Sequence, residues 1–348
     1  MIKKECFTAE WIEQVSSELH YNDKNLIEKV IRALSLLEML VKAGCPLVFK
    51  GGTALMLILG KSAHRLSIDI DLICPPGTNI EDYLKSFADF GFINLELVER
   101  KQRDDADIPK SHSKFFYQIA YRNDTDAQSY ILLDVLYEDI HYFRTQQIAI
   151  NCPFIRLEGK PLMVTVPSAE DILGDKLTAF APNTTGIPYY KNGRSCSMEI
   201  AKQLYDVGRL FENVSDLQIT KEAFRKIAVV ELSYRSFGTD IGQVFNDIRQ
   251  TALCISTRGK AGEGDFDLIQ DGIIRVKSFM YKQRYLIDHA IIDAARAAYL
   301  ATLIEKGINE IESYSNNPAD IKDMVIRPSL PNKLNKLRSN LPEAYYYW

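Results

Sequence analysis

Residues 46–73 read Pro46-Leu47-Val48-Phe49-Lys50-Gly51-Gly52-Thr53-Ala54-Leu55-Met56-Leu57-Ile58-Leu59-Gly60-Lys61-Ser62-Ala63-His64-Arg65-Leu66-Ser67-Ile68-Asp69-Ile70-Asp71-Leu72-Ile73. Pro46 to Lys50 has the length of a short strand, Gly51-Gly52 breaks it, and Ala54 to Gly60 is predicted helical with Thr53 as its cap. Ser67 to Ile73 is predicted to be a second strand. Residues two apart in a strand share a face, so Asp69 and Asp71 project together while Ile68, Ile70 and Leu72 point into a core. Two neighbouring carboxylates repel, and a hard divalent cation such as Mg²⁺ is their natural partner; a solvated strand face is the alternative for so short a motif. Gly51-Gly52-Thr53, set between strand and helix, presents backbone N–H groups and a helix dipole to phosphate, although a plain tight turn uses glycines equally well. The P-loop is excluded, because no Lys-Ser/Thr follows at its spacing.

Working outward, Leu26, Val30, Ala33, Leu37, Leu40 and Val41 recur at helical spacing, which predicts a helix from Asp23 to Lys42 ended by Gly44 and Pro46. Ile80 to Phe90 reads as a further helix. Three β-branched and aromatic runs, Ile93 to Val98, Phe115 to Tyr121 and Tyr130 to Leu136, read as strands, with Arg100 to Ser113 as an exposed, mobile charged loop. After Pro167 the periodicity is helical: Ser168 to Phe180, Ser197 to Phe211, Lys221 to Leu232, Ile241 to Cys254, Phe266 to Lys282 and Ile287 to Lys306. The stretch Arg327 to Arg338, with its prolines and cations, reads as an extended basic tail. The expected organisation is α+β, with an α/β domain over residues 1–165 and a helical domain over 166–348.

The composition fits that division. The 348 residues are 46% hydrophobic and 25% charged with a formal charge of −4, an ordinary globular balance. Residues 1–165 carry 19 Lys and Arg against 23 Asp and Glu, and residues 166–348 carry 23 against 23, so any polynucleotide must be held by a local patch. No apolar run approaches the ~18–20 residues of a membrane span, and the basic start has no apolar segment behind it, so neither a membrane association nor a signal peptide is expected. Six dispersed cysteines read as reduced thiols of a cytoplasmic protein, and five dispersed histidines favour neither a histidine metal site nor a Ser-His-Asp triad.

Three more residues stand out. Asp134 is the one charged side chain on either face of Tyr130 to Leu136; a buried carboxylate needs a metal or a cationic partner on a neighbouring strand. Lys176 lies within the apolar stripe Ile172, Leu173, Leu177, Phe180 of its helix, where a phosphate, a snorkelling path or an internal salt bridge would satisfy it. Asp206 is flanked by Lys202 and Arg209 at helical spacing, which also suits an exposed ion pair. Lys114 reads first as an edge-strand lysine, and Tyr281-Lys-Gln-Arg-Tyr285 as a solvated helix face with some capacity to stack on RNA.

Lys50-Gly-Gly-Thr-Ala-Leu55 followed by Arg65-Leu-Ser-Ile-Asp-Ile-Asp-Leu72 resembles the signature of the polymerase-β-type nucleotidyltransferase superfamily, and more narrowly that of the AbiEii/AbiGii-type toxins. Thr53 stands where serine is common and keeps the hydroxyl. Asp175-Lys176-Leu177-Thr178-Ala179 is similar to the family's Lys-Leu-x-Ala helix, and Lys202-Gln-Leu-Tyr-Asp206 to its Lys-Asp-x-Tyr-Asp motif, with Gln203 where that pattern often has an acid. The resemblance implies a nucleotidyltransferase domain with a mixed sheet, followed by a helical domain that contributes to the active-site cleft.

For the site, the resemblance implies catalytic Asp69, Asp71, Lys176 and Asp206. Lys50, Gly51, Gly52, Thr53, Arg65, Ser67 and Lys176 would bind the nucleoside triphosphate, and Asp69, Asp71 and Asp134 would hold Mg²⁺ or Mn²⁺. It implies transfer of NMP from NTP to an RNA acceptor such as the tRNA 3′ end, as the toxin of a toxin–antitoxin or abortive-infection phage-defence system with a cognate antitoxin. Two rivals are a small-molecule, aminoglycoside-like nucleotidyltransferase, which would need an acidic acceptor pocket, and a non-catalytic nucleotide-binding regulator. A basic rim from Lys277, Lys282, Arg284 and the 327–338 tail would favour RNA.

Overall fold

A computed structural model describes residues 1–98, 110–121, 127–234, 238 and 240–348. The fold is α+β, and the chain forms two compact units: residues 1–168 with 278–284, and residues 169–277 with 285–348.

The first unit opens with helices α1 (Ala9–Leu19) and α2 (Lys24–Lys42), then β1 (Val48–Lys50), α3 (Gly51–Leu59), β2 (Ile70–Cys74), β3 (Asn94–Val98), β4 (Lys110–Gln118), β5 (Gln128–Tyr137), β6 (Thr145–Ala149) and β7 (Met163–Pro167). Five strands form a mixed sheet in the order β1-β2-β5-β4-β3, with β2 and β5 parallel and the other pairs antiparallel. Asp23 caps α2 by accepting from the Leu26 N–H at 3.0 Å. The apolar side of α2 (Ile27, Ile31, Leu34) is buried in one core cluster with Phe49, Ile70, Leu72, Phe115, Ile131, Leu133 and Val135. At about 1.5–3 kcal/mol per buried large apolar side chain, this cluster is the main support of the sheet. Two charges within it are also tied down: Glu28 accepts from Arg32 (3.3 Å) and from the Ala120 N–H (3.1 Å), and Arg32 donates to the Gly91 carbonyl (3.0 Å). Burying one face leaves Lys50, Asp71, Asp134, His112 and Lys114 to share the other, as the strand registers require.

Several expected elements differ. Ile80 to Phe90 is two short 3₁₀ turns, Ile80–Tyr83 and Phe87–Phe90, in place of one helix. Asn79 caps the first turn and Gly91, at φ +81°, ends the second. Of the expected loop Arg100 to Ser113, residues 100–109 lie outside the described residues, and 110–113 already belong to β4. Helix α3 starts at Gly51, so Thr53 is not its cap.

The second unit holds α4 (Ala169–Ala179), the small hairpin β8 (Tyr190–Lys191) and β9 (Arg194–Ser195), then α5 (Ser197–Phe211), α6 (Gln218–Ser233), α7 (Ile241–Ser256), α8 (Phe266–Val276), α9 (Ile287–Lys306), α10 (Leu337–Asn340) and α11 (Pro342–Tyr347). Helix α4 lies so close to α6 that a Cβ on Gly174 would meet the Phe224 backbone N at 2.7 Å. The expected helix to Lys282 stops at Val276 with one 3₁₀ turn beyond it. Residues 278–284 instead pack in the first unit, where Leu66 N–H donates to the Phe279 carbonyl (2.8 Å) and Tyr281 N–H to the His64 carbonyl (2.9 Å). Tyr281 and Tyr285 are buried, so the 281–285 run is not the solvated face expected of it. Nor is the 327–338 stretch extended: Asn332–Lys336 is a 3₁₀ turn leading into α10, with Leu334 and Leu337 buried. Lys277, Lys282, Arg284, Lys333 and Lys336 are exposed.

Among the described residues no helix is long and apolar enough to cross a membrane. All six cysteines are free thiols.

Candidate active site

Strand β1 delivers Lys50 opposite Asp71 of β2, and the chain turns immediately into α3 through Gly51 at φ +79°. That left-handed backbone suits glycine, and here space also demands it. A Cβ on Gly51 would lie 2.1 Å from Asp71 Oδ2, and one on Gly52 would lie 2.7 Å from Ser67 Oγ and 2.9 Å from Arg65 Nη2. The two glycines thus form a cradle against which the carboxylate, the hydroxyl and the guanidinium rest. Thr53 stays in the helix and donates from Oγ1 to the Asp69 carbonyl at 2.7 Å, fixing the backbone where the acidic pair begins. Arg65 is buried and donates to the Leu66 carbonyl at 3.1 Å, and its segment bridges to Met280.

Asp69 precedes β2 and Asp71 lies within it, while Ile70 and Leu72 between and beyond them are buried. Across the parallel pair, Asp71 is matched with Asp134 of β5. The Asp134 side chain, 37% exposed, is bonded to His112 Nδ1 at 2.5 Å, so of the two partners left open for it, a metal or a cationic side chain on a neighbouring strand, the neighbouring-strand position is taken by a histidine. His112 was not singled out for this role; its signal is the β4–β5 register, in which it faces Asp134 directly.

Among the described residues no three His, Cys, Asp or Glu side chains converge as a ready-made metal cage. The donor set still fits a hard divalent ion in one respect. Mg²⁺ is commonly held by one or two carboxylates with substrate phosphates completing its shell, and Asp69 and Asp71, beside a glycine cradle, offer that kind of half-site.

In the second unit, Lys176 of α4 and Asp206 of α5 come together. Lys176 Nζ lies 3.0 Å from Asp206 Oδ2 and 2.9 Å from Gln203 Oε1, and both charged side chains are buried. Of the alternatives open for Lys176, the geometry shows an internal salt bridge. The exposed ion pair considered for Asp206 does not hold, since the residue is 1% exposed; Arg209 turns to Glu212 (2.9 Å) and Asp293 (3.5 Å). Gln203, where the resembling motif has an acid, keeps a polar hold on the lysine without adding a second negative charge.

No curated protein matches the sequence. JHP933 from Helicobacter pylori is a similar solved structure at 15% identity, with 88% of this chain and 95% of that one covered and a TM-score of 0.40. The nucleotidyltransferase toxin MenT4 from Mycobacterium tuberculosis is similar at 13% identity, with 84% and 89% covered and a TM-score of 0.42. The model of the family described as "Nucleotidyl transferase AbiEii toxin, Type IV TA system" matches residues 34–317, which include both motif-bearing helices and the whole glycine–carboxylate segment. This chain belongs to the AbiEii family of nucleotidyltransferase toxins.

Proposed function

We propose that the protein transfers a nucleoside monophosphate from an NTP to an RNA acceptor, with the tRNA 3′ end as the target, and that it needs Mg²⁺ or Mn²⁺ to do so. The observation that carries this reading is the packing of Asp71 against Gly51, with Ser67 and Arg65 against Gly52. Asp69 and Asp71 would hold the divalent ion, which when bound would supply charge stabilisation at the α-phosphoryl oxygens. Gly51, Gly52 and the first turn of α3 offer N–H groups to the triphosphate, and Lys50, Arg65 and Ser67 line the same turn. Asp134, oriented by His112, would help to hold a second ion. Lys176 offsets charge on the phosphates. Of the catalytic roles open to Asp206, orienting or deprotonating the acceptor hydroxyl is one, and its 3.0 Å pair with Lys176 favours the other, holding that lysine in place. The physiological reading is a toxin acting in the cytoplasm, restrained by a cognate antitoxin and serving in phage defence.

The test incubates the protein with each of the four α-³²P triphosphates, Mg²⁺ and total tRNA, and resolves the products. Label is expected in tRNA with one preferred nucleotide, and to vanish with Asp69→Ala, Lys176→Ala or EDTA. Undiminished growth inhibition by Asp69→Ala, or label on a small-molecule acceptor alone, would overturn the reading.

A further inference from the structure

Two lysines from different elements converge on one exposed aromatic ring, on the face of β5 that also carries Asp134. Lys29 of α2 and Lys114 of β4 each place Nζ 5.5 Å from the centroid of the Tyr130 ring. Tyr130 lies near the start of β5 on its outer face at 40% exposure, and its cross-strand partner Phe116 lies against it with ring centroids 5.7 Å apart. The two ammonium groups are therefore at most about 11 Å apart. Glu96 offsets one of them, at 3.5 Å from Lys114, from a half-exposed position. Lys29 is partly buried, which lowers its pKa, and the charges of Asp69 and Asp23 act in the opposite direction.

Two cations around a large exposed ring match a ligand with flat rings and regularly spaced negative charges. Tyr130 and Asp134 share a strand face four residues apart, about 13 Å at ~3.3 Å per residue. That span equals the rise of about four stacked nucleotides at ~3.4 Å each. The geometry points to Tyr130, Lys29 and Lys114 as a docking platform for the unpaired end of the acceptor RNA, with a base taking the Tyr130 ring face as the lysines now lying over it swing out to the flanking phosphates. Phe116 supports the ring from β4. This assignment rests on the nucleotidyl-transfer reading for its choice of RNA. Its contacts, to base faces and phosphates, are those that sequence-tolerant single-strand binding uses.

The test measures binding of a 5′-fluorescein single-stranded oligoribonucleotide of mixed sequence to the full chain by anisotropy, without NTP. Tyr130→Ala is expected to weaken Kd between about fivefold and about 150-fold, the range of one lost base stack, and Tyr130→Phe to restore it to within about twofold. Lys114→Gln and Lys29→Gln are each expected to lower the slope of log K against log salt by about 0.7. Because Tyr130 and Lys114 are not buried, thermal unfolding of their variants should match the parent, which separates lost binding from lost fold. Unchanged affinity in Tyr130→Ala, absence of RNA binding by the parent, or displacement of RNA by polyglutamate as readily as by unlabelled RNA would overturn the platform. RNA binding with this mutational signature but no transfer of ³²P label would uphold the platform and overturn nucleotidyl transfer instead.

Discussion

Asp134 stands directly across the parallel β2–β5 pair from Asp71, and its carboxylate is held by His112 Nδ1 at 2.5 Å. Two carboxylates on adjacent strands about 4.8 Å apart repel each other, and the histidine moderates that repulsion from the third strand. His112 is thereby an orienting residue for the outer carboxylate. Loss of such a supporting partner commonly costs 10- to 100-fold in metal affinity or activity. His112→Ala is expected to lower label transfer by about that factor and to raise the Mg²⁺ concentration needed for half-maximal rate, whereas Asp71→Ala should abolish transfer at every Mg²⁺ concentration. Equal loss in both variants would place His112 in contact with the reacting groups.

Gly51 offers a sharper test of the cradle. Any side chain there must adopt φ +79° and displace Asp71 Oδ2, which would be 2.1 Å from the new Cβ. The backbone strain alone costs about 1–3 kcal/mol. Gly51→Ala is expected to retain the fold with a lowered Tm and to lose transfer by at least the factor seen for Asp71→Asn. Gly44→Ala is the control, because its φ of +76° carries similar strain and nothing lies within 4 Å of the added Cβ. It should lower Tm and leave transfer intact.

The parts of this architecture that were legible in sequence are those written in local code. The period of α2, the glycine pair after an apolar run and the Asp-Ile-Asp alternation all act within a few residues. The His112–Asp134 bond was not legible, because it depends on the pairing register of β4 and β5, which the alternation within either strand alone does not set. The Lys176–Asp206 pair joins two helices, and no helical period within either one announces it. In the 327–338 stretch, prolines and cations outweighed a weak apolar signal, although Leu334 and Leu337 lie three apart and are both buried. The ring Tyr281 likewise looked like surface because its neighbours are charged, while packing against Phe154 (centroids 5.2 Å apart) makes it core.

The buried Lys176–Asp206 pair predicts strong non-additivity. Removing one partner strands the other charge away from water, at a cost of about 3–5 kcal/mol, whereas replacing both removes the need for compensation. Lys176→Met and Asp206→Leu are each expected to destabilise the chain by several kcal/mol in urea unfolding. The double variant should recover part of that loss and remain inactive in transfer. Additive losses would show that the two side chains do not depend on each other.

Asp293 of α9 predicts a pH dependence with a definite sign. It is 1% exposed, lies 3.5 Å from Arg209 Nη2 and 3.4 Å from Arg296 Nη1, and burial raises its pKa from 3.8 to about 6 against the pull of both arginines. Glu212 and Tyr285 also face it. Arg296, in spite of its own burial, is raised by Asp293, Glu343 and Glu212, so the arginine stays charged throughout. Between pH 4 and 6 the folded chain keeps a proton on Asp293 that the unfolded chain has released. By linkage, this group's contribution to stability is greatest below about pH 4, falls as pH rises toward 6 by up to about 1.4 kcal/mol per pH unit, and is constant above. In Asp293→Asn that contribution disappears. Urea unfolding at half-unit intervals from pH 4 to 7.5 should therefore give the parent a more negative slope of stability against pH than the variant, by up to one proton, with the two curves parallel above pH 7. A parent slope more positive than the variant's would mean that the arginines outweigh burial and that Asp293 is ionised in the fold across the whole range.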